Sequence, residues 1–264
     1  MRSVAELMDL KGRVALITGG AGHIGSAAGD ALAELGANIV VLDLAQDACT
    51  QTANRIHETY GVETFPLAAD MTKDHSISQQ IADRFGRLDI LLNCAALVGT
   101  SDVKGWAVPF AQQETESWAM ALDANLTAPF GLVQSCAELL ENSGHGSVIH
   151  ISSIYGMIGP DMRLYKGTDG GNPAAYAASK GGAIQITRWL ATVMAPKVRV
   201  NSISPGGIWR GQAESFHEEY VSRTPMGRMA AEEDFKGAIS YLASDMSAYV
   251  TGHNLVVDGG WTAW

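Results

Sequence analysis

The sequence predicts a single α/β domain over residues 1–264, built on a doubly wound parallel sheet of about seven strands with helices on both faces. Short runs rich in Val, Ile and Leu alternate along the chain with longer stretches of helical period. Hydrophobic residues make up 47% and charged residues 17% of the 264, which is ample material for one core. No Pro/Ser-rich linker divides the chain, and no repeat or low-complexity segment interrupts it.

Taken in order, residues 13–18 form an apolar run that reads as the first strand, followed by a glycine-rich turn and a helical pattern over 23–35. Gly36 stops that helix, and residues 38–43 read as the second strand, completing a βαβ unit. The same rhythm places later strands at 63–69, 88–93, 146–152, 198–203 and 254–257. Helices are expected near 46–60, 73–85, 112–141, 174–194 and 232–243. Two segments break the rhythm, 154–173 and 205–224, both glycine-rich and both following the carboxyl end of a strand. Ligands of open α/β sheets bind at such ends, so both are candidate substrate loops.

Charge narrows the function. With 18 Lys and Arg against 28 Asp and Glu, the formal charge is −10, which repels nucleic-acid phosphates and anionic lipid surfaces. Glu6 and Asp9 interrupt the apolar run that a signal peptide needs, and no stretch approaches the ~20 apolar residues of a membrane span. Cys49, Cys94 and Cys136 are odd in number and widely spaced, with no His or Cys partner at a ligand spacing. A soluble cytoplasmic protein without a metal site is the expectation.

The turn Thr18-Gly-Gly-Ala-Gly-His-Ile-Gly25 joins the first strand to the first helix, and its glycines let backbone N–H groups approach a pyrophosphate at the helix start. Gly19, Gly22, His23, Ile24 and Gly25 are therefore candidate cofactor residues. Asp43 ends the second strand 18 residues after Gly25, where a carboxylate accepts adenosine ribose hydroxyls and repels a 2′-phosphate. The expected cofactor is NAD.

These residues resemble the short-chain dehydrogenase/reductase family, and the resemblance runs from Lys11 to Gly260. It implies a Rossmann fold, with Asp70 and the adjacent Met71 on the adenine side and Asn93 of Asn93-Cys-Ala-Ala96 at the cofactor. It also implies that Pro205, Gly206 and Ile208 form the nicotinamide-side loop, and Thr251 to Gly260 is like the family's C-terminal signature. Two departures stand out. The turn has the Thr-Gly-x-x-Gly-x-x-Gly spacing of the extended branch of nucleotide-sugar epimerases and dehydratases, with His23 where the classical branch has a small residue. Trp209-Arg210 stands where the family has a Thr for the nicotinamide carboxamide. Only 84 residues follow Lys180, too few for the extended branch's substrate domain. A non-catalytic nucleotide-binding protein on the same fold is the other alternative.

Tyr176-Ala-Ala-Ser-Lys180 places a phenol and an ammonium on one helix face. Tyr ionises near ~10, so it becomes a base near neutrality only beside positive charge, which Lys180 and an oxidised nicotinamide supply. The resemblance makes Tyr176, Lys180, Ser153 and Asn125 catalytic: Tyr176 takes the hydroxyl proton, Ser153 holds the substrate oxygen with Ser152 as its alternative, and Lys180 also grips the nicotinamide ribose. Asn125 would hold a water that connects Lys180 to solvent.

Ser153 and Tyr176 are 23 residues apart, roughly ten more than is usual in the family, so the intervening loop should shape specificity. It carries Asp161, Arg163, Tyr165, Lys166, Asp169 and Asn172, and the second loop adds Trp209, Arg210 and Gln212. This polar lining suits a polyhydroxylated substrate such as a sugar, sugar acid or polyol, interconverted between secondary alcohol and ketone. Ser153, Arg163 and Arg210 are its candidate binding residues. The alternative for Arg210 is an ion pair with Asp161 or Asp169. An apolar tail, Trp261 to Trp264, and the family's habit of pairing long helices suggest a homo-oligomer, tetramer or dimer.

Overall fold

The computed structural model describes residues 1–99, 101–166 and 170–264. Asp169 therefore lies outside the described residues. Seven parallel strands form one sheet in the order β3-β2-β1-β4-β5-β6-β7. They are β1 (Val14–Thr18), β2 (Asn38–Asp43), β3 (Thr64–Ala68), β4 (Ile90–Asn93), β5 (Gly146–Ile151), β6 (Val198–Pro205) and β7 (Asn254–Val257). Every residue of β1, β4 and β5 is buried, as expected of central parallel strands covered on both faces.

Alternation along the strands sorts their side chains into two cores. Ile17, Ile39, Val41, Ile149 and Ile203 meet α2 (His23–Glu34), α3 (Gln46–Tyr60) and α9 (Lys236–Ala243). Leu16, Val40, Leu91, Val148 and Val200 meet α4 (Ile77–Phe85), α6 (Ala128–Asn142) and α7 (Ala174–Met194). The remaining helices are α1 (Val4–Met8), α5 (Thr115–Leu122) and α8 (Glu214–Ser222). Helix α1, which hydrophobic period does not reveal, is closed by a capping box: Ser3 Oγ accepts from Glu6 N–H and Glu6 accepts from Ser3 N–H.

The helix expected over 112–141 is not continuous. Between α5 and α6 the backbone makes a π-helical turn, Asp123–Thr127, with Asn125 buried inside it. An extra residue per turn is a known way to re-aim groups at functional sites, and Asn125 reaches across to Leu97 in the segment after β4.

Strand order reverses between β1 and β4, so their carboxyl ends open a crevice. The loops after β5 and β6 lie at this edge and share a small core of Ile154, Leu164, Tyr220, Met229 and Trp261. Trp261 stacks on Tyr220 with centroids 4.1 Å apart, and the Tyr220 hydroxyl accepts from Gly207 N–H at 2.5 Å. This corrects one basis for the oligomer: Trp261 is buried in its own subunit, and only Trp264 of the tail's two tryptophans is exposed.

Candidate active site

At the crevice, Thr18 Oγ1 accepts from the N–H groups of Cys94 and Ala95 at 3.0 and 3.1 Å, tying the ends of β1 and β4 together. Gly19 sits at φ +63°, and a Cβ there would lie 2.9 Å from Ala95 backbone, so only glycine allows this approach. A Cβ on Gly25 would run into the Gly19 carbonyl. Helix α2 starts from Gly22 with no side-chain cap, so its first N–H groups and the positive end of its dipole face outward. Asp43 lies across this turn, its carboxylate accepting from Ala21 N–H at 3.2 Å and Leu44 N–H at 2.8 Å. An uncapped helix start, a glycine cradle and a strand-end carboxylate fit an adenine dinucleotide.

The other cofactor candidates surround that groove. Ile24 and Ile208 pack on the α2 and α9 side, Met71 on the opposite core. Asp70 accepts from Thr72 N–H and hydroxyl and from Lys73 Nζ at 2.9 Å, contacts that hold its carboxyl at about 2. Asn93 is buried at the end of β4, with Nδ2 3.3 Å from His150 Nδ1 and Oδ1 without a partner among the described residues. Burial pushes the His150 pKa down to about 4, so the ring is neutral and its Nδ1 accepts.

The catalytic candidates meet where β5 joins α7. Lys180 Nζ, buried, donates to the Ile151 carbonyl at 2.7 Å, while Ser152 Oγ donates to the Lys180 carbonyl at 2.8 Å. A Cβ on Gly156 would lie 2.6 Å from the Lys180 backbone, which shows how closely strand end and helix approach. Tyr176, in the first turn of α7, lies near enough to Ser153 for that hydroxyl to favour its ionised form, and Ser153 Oγ accepts from Tyr155 N–H at 3.2 Å. Ser152 is thus spent on the α7 backbone, and Ser153 is the hydroxyl beside Tyr176.

Lys180 Nζ stands 5.7 Å from the centroid of the Tyr176 ring, yet among the chain's own groups burial dominates and holds the phenol above its usual range. Ser153 and Arg210 pull the other way, and Lys180 is not among the causes. Without an oxidised nicotinamide, desolvation of a phenolate outweighs the charge that the chain itself places beside it. The Asn125 side chain bonds the segment after β4 and helix α7. Its Oδ1 accepts from Leu97 N–H at 2.7 Å, and its Nδ2 donates to the Leu97 carbonyl and to Ser179 Oγ, both at 3.1 Å.

The loops distribute the charged candidates. Arg163 donates through Nε and Nη2 to Asp161 at 2.8 Å, and Asp161 also meets Arg223 at 3.2 Å. Arg163 is therefore committed to an exposed ion pair. Arg210 pairs with Glu232 at 3.4 Å instead of with Asp161. Lys166 is exposed. Trp209 lies against His217, centroids 4.2 Å apart, and Gln212 links Arg210 N–H to the Ile208 carbonyl. Pro205 ends β6 and Gly206 follows it; a Cβ on Gly206 would lie 2.8 Å from Asp258.

Sequence reasoning missed Gln113. Its Oε1 accepts from Ala174 N–H at 3.0 Å, and its Nε2 donates to the Val108 and Asn172 carbonyls at 3.2 and 3.3 Å. It fastens the segments at Val108 and Asn172 to the start of the helix that carries Tyr176, and no local pattern announces it. Tyr155 and Asn172 lie near enough to Tyr165 to favour its ionised form, and Tyr165 in turn opposes ionisation of Tyr176, so polar groups gather at that end.

Comparison with known proteins adds the following. The family model described as enoyl-(acyl carrier protein) reductase matches residues 19–262. A 3-oxoacyl-(acyl-carrier-protein) reductase from Thermotoga maritima is 30% identical over 96% of this chain and 99% of its own. A short-chain type dehydrogenase/reductase from Mycobacterium marinum has a solved structure that superposes with TM-score 0.87 at 30% identity, covering 100% of both chains. A gluconate 5-dehydrogenase from Burkholderia cenocepacia, solved with NADP and tartrate, gives TM-score 0.88 at 27% identity, covering 99% of this chain and 100% of that one.

Burial lowers the Lys180 pKa from 10.5 to about 8. Below about 8 both folded and unfolded chains hold the proton and the full burial penalty is present; between about 8 and 10.5 the unfolded chain binds more protons, so stability rises with pH. Lys180→Met should therefore be more stable than the unmutated chain by about 1–2 kcal/mol near neutrality, the lost Ile151 bond offsetting part of the gain. Urea unfolding should show this advantage shrinking as pH rises through that window. A variant less stable near neutrality would contradict the assignment.

Proposed function

The chain belongs to the short-chain dehydrogenase/reductase family, and from that premise we propose that it is an NAD-dependent dehydrogenase/reductase of polyhydroxylated alcohols and ketones. That it is an NAD(P)-dependent oxidoreductase acting on alcohol and ketone groups follows from the family. NAD preference, the substrate and the assembly are the proposal.

The observation that carries the reading is the convergence of Tyr176 on Ser153, with Lys180 locked to Ile151, at the edge where the glycine turn and Asp43 end. The nicotinamide supplies hydride acceptance or donation when bound, and its oxidised form adds the positive charge that a buried phenol needs. Tyr176 Oη takes the proton of the substrate hydroxyl in oxidation and returns it in reduction, with Ser153 Oγ holding the same oxygen. Lys180, Gly19, Gly22, His23, Ile24, Gly25, Asp70, Met71, Asn93, Pro205, Gly206 and Ile208 would hold the dinucleotide, and Asn125 keeps the end of β4 in place.

Asp43 supports NAD, because its carboxylate lies across the glycine turn where a 2′-phosphate would have to sit. The gluconate 5-dehydrogenase was solved with NADP, and the relatives act on substrates as different as acyl-carrier thioesters and gluconate. A polyhydroxylated substrate is supported by the hydroxyls of Tyr155 and Tyr165 and the amide of Asn172 near Tyr176, with Arg163 and Arg210 at the margin. The three free thiols support a reducing, cytoplasmic setting, and no helix of the described residues is long and apolar enough to cross a membrane. Exposed Trp118 and Met120 on α5 and Trp189 and Val193 on α7 support a homo-oligomer, dimer or tetramer.

Absorbance of reduced nicotinamide with NAD or NADP, against sugars, sugar acids and polyols, tests the proposal. Tyr176→Phe should cut turnover by roughly 10²–10⁴ while leaving NAD affinity within about threefold, because only the proton-carrying oxygen is lost. Asp43→Ala should narrow an initial preference for NAD over NADP about tenfold. Equal affinity of the unmutated chain for both cofactors would overturn the NAD reading, and an active Phe variant would overturn the base. Light scattering should give a multiple of 27.9 kDa; a monomer at micromolar concentration would reject the assembly.

A further inference from the structure

Glu232 joins two parts of the crevice that sequence separates widely. Its Oε1 lies 3.4 Å from Arg210 Nε, in the loop after β6, and 3.5 Å from His23 Nδ1, at the first residue of α2. One carboxylate oxygen thus faces two nitrogen groups at the uncapped helix start where the reading above places a diphosphate. We propose that Glu232 is an internal stand-in for that diphosphate: carboxylate and cofactor are alternative anionic partners for Arg210 and His23, and cofactor binding transfers Arg210 from one to the other. This inference rests on the dinucleotide reading of the site.

The surroundings favour such an exchange. Glu232 is placed firmly, opening a 3-10 turn in which Asp234 accepts from Ala231 N–H at 2.8 Å and is gripped by Arg228 at 2.6 and 2.7 Å. The backbone that carries Arg210 is equally fixed: Trp209 N–H donates to the Ala230 carbonyl at 2.9 Å, and Arg210 N–H donates to Gln212 Oε1 at 2.8 Å. Only the Arg210 side chain has to move. Its bond to Glu232 is long and made through Nε alone, and its two Nη groups donate to nothing among the described residues, leaving the fork that suits a phosphate. Arg210 is also close enough to Tyr176 and Cys94 to favour their ionised forms. A diphosphate entering a chain of net charge −10 past Asp43 and Glu232 needs such a counter-charge.

Calorimetric titration with ADP-ribose, which carries the diphosphate, and with adenosine, which does not, tests the exchange without reference to turnover. Arg210→Ala should weaken ADP-ribose about tenfold and leave adenosine unchanged. Glu232→Gln should tighten ADP-ribose about three- to tenfold by removing the competitor, and this gain should fall below about twofold in the Arg210→Ala background. Glu233→Gln, on the neighbouring exposed carboxylate, measures the general effect of removing one negative charge and should give less than Glu232→Gln. The inference is overturned if Glu232→Gln weakens ADP-ribose, if its gain persists without Arg210, or if Glu233→Gln matches it. Normal ADP-ribose affinity in Arg210→Ala overturns this inference alone. If the unmutated chain binds no ADP-ribose, the dinucleotide reading fails and takes this inference with it.

Discussion

Lys180 is buried with its ammonium on the carbonyl of Ile151, and the catalytic end of the molecule is arranged around that contact. Holding a charged amine there is unfavourable, as its lowered pKa shows. What the fold gains is position. The bond, with Ser152 on the Lys180 carbonyl and the close passage of Gly156, fixes the start of α7 against the end of β5. Tyr176 comes one turn before Lys180 on α7, and Ser153 comes two residues after Ile151, so both must arrive at the same place. A stable apolar residue at position 180 would pack, but it would hold no charge beside the Tyr176 ring.

The second half of the crevice is organised by backbone. Thr18 joins the ends of β1 and β4, Gly19 permits their close approach, and Asp43 closes over the turn. Because strand order reverses here, the carboxyl ends of β1 and β4 open a crevice beside the glycine turn. Arg210, in the loop after β6, pairs with Glu232, which also faces His23 at the start of α2.

What was legible in the sequence was whatever depends on near neighbours. The glycine turn, Asp43 at its strand end and the Tyr176/Lys180 pair are read from spacing, because helix and strand geometry converts spacing into direction. Buried parallel strands are equally visible as apolar runs. Contacts between distant segments were not legible: Gln113 capping α7, Glu232 beneath Arg210 and Trp261 stacked on Tyr220 join residues that no local pattern relates. The π-helical turn at Asn125 stayed hidden because the apolar period runs through it, although an Asn in mid-helix did signal that its amide was in use. The depth at which Tyr176 is buried was not legible either, because sequence shows the neighbouring cation but not the desolvation that opposes a phenolate.

A crystal structure of the complex with oxidised cofactor tests the central claim most directly, that the β5–α7 junction and the glycine turn form one hydride-transfer site. The account predicts the adenosine ribose at Asp43, the diphosphate at the start of α2 and the nicotinamide beside Tyr176, Ser153 and Lys180. A dinucleotide bound elsewhere, or lying in the groove with its adenine end at Tyr176, would contradict it.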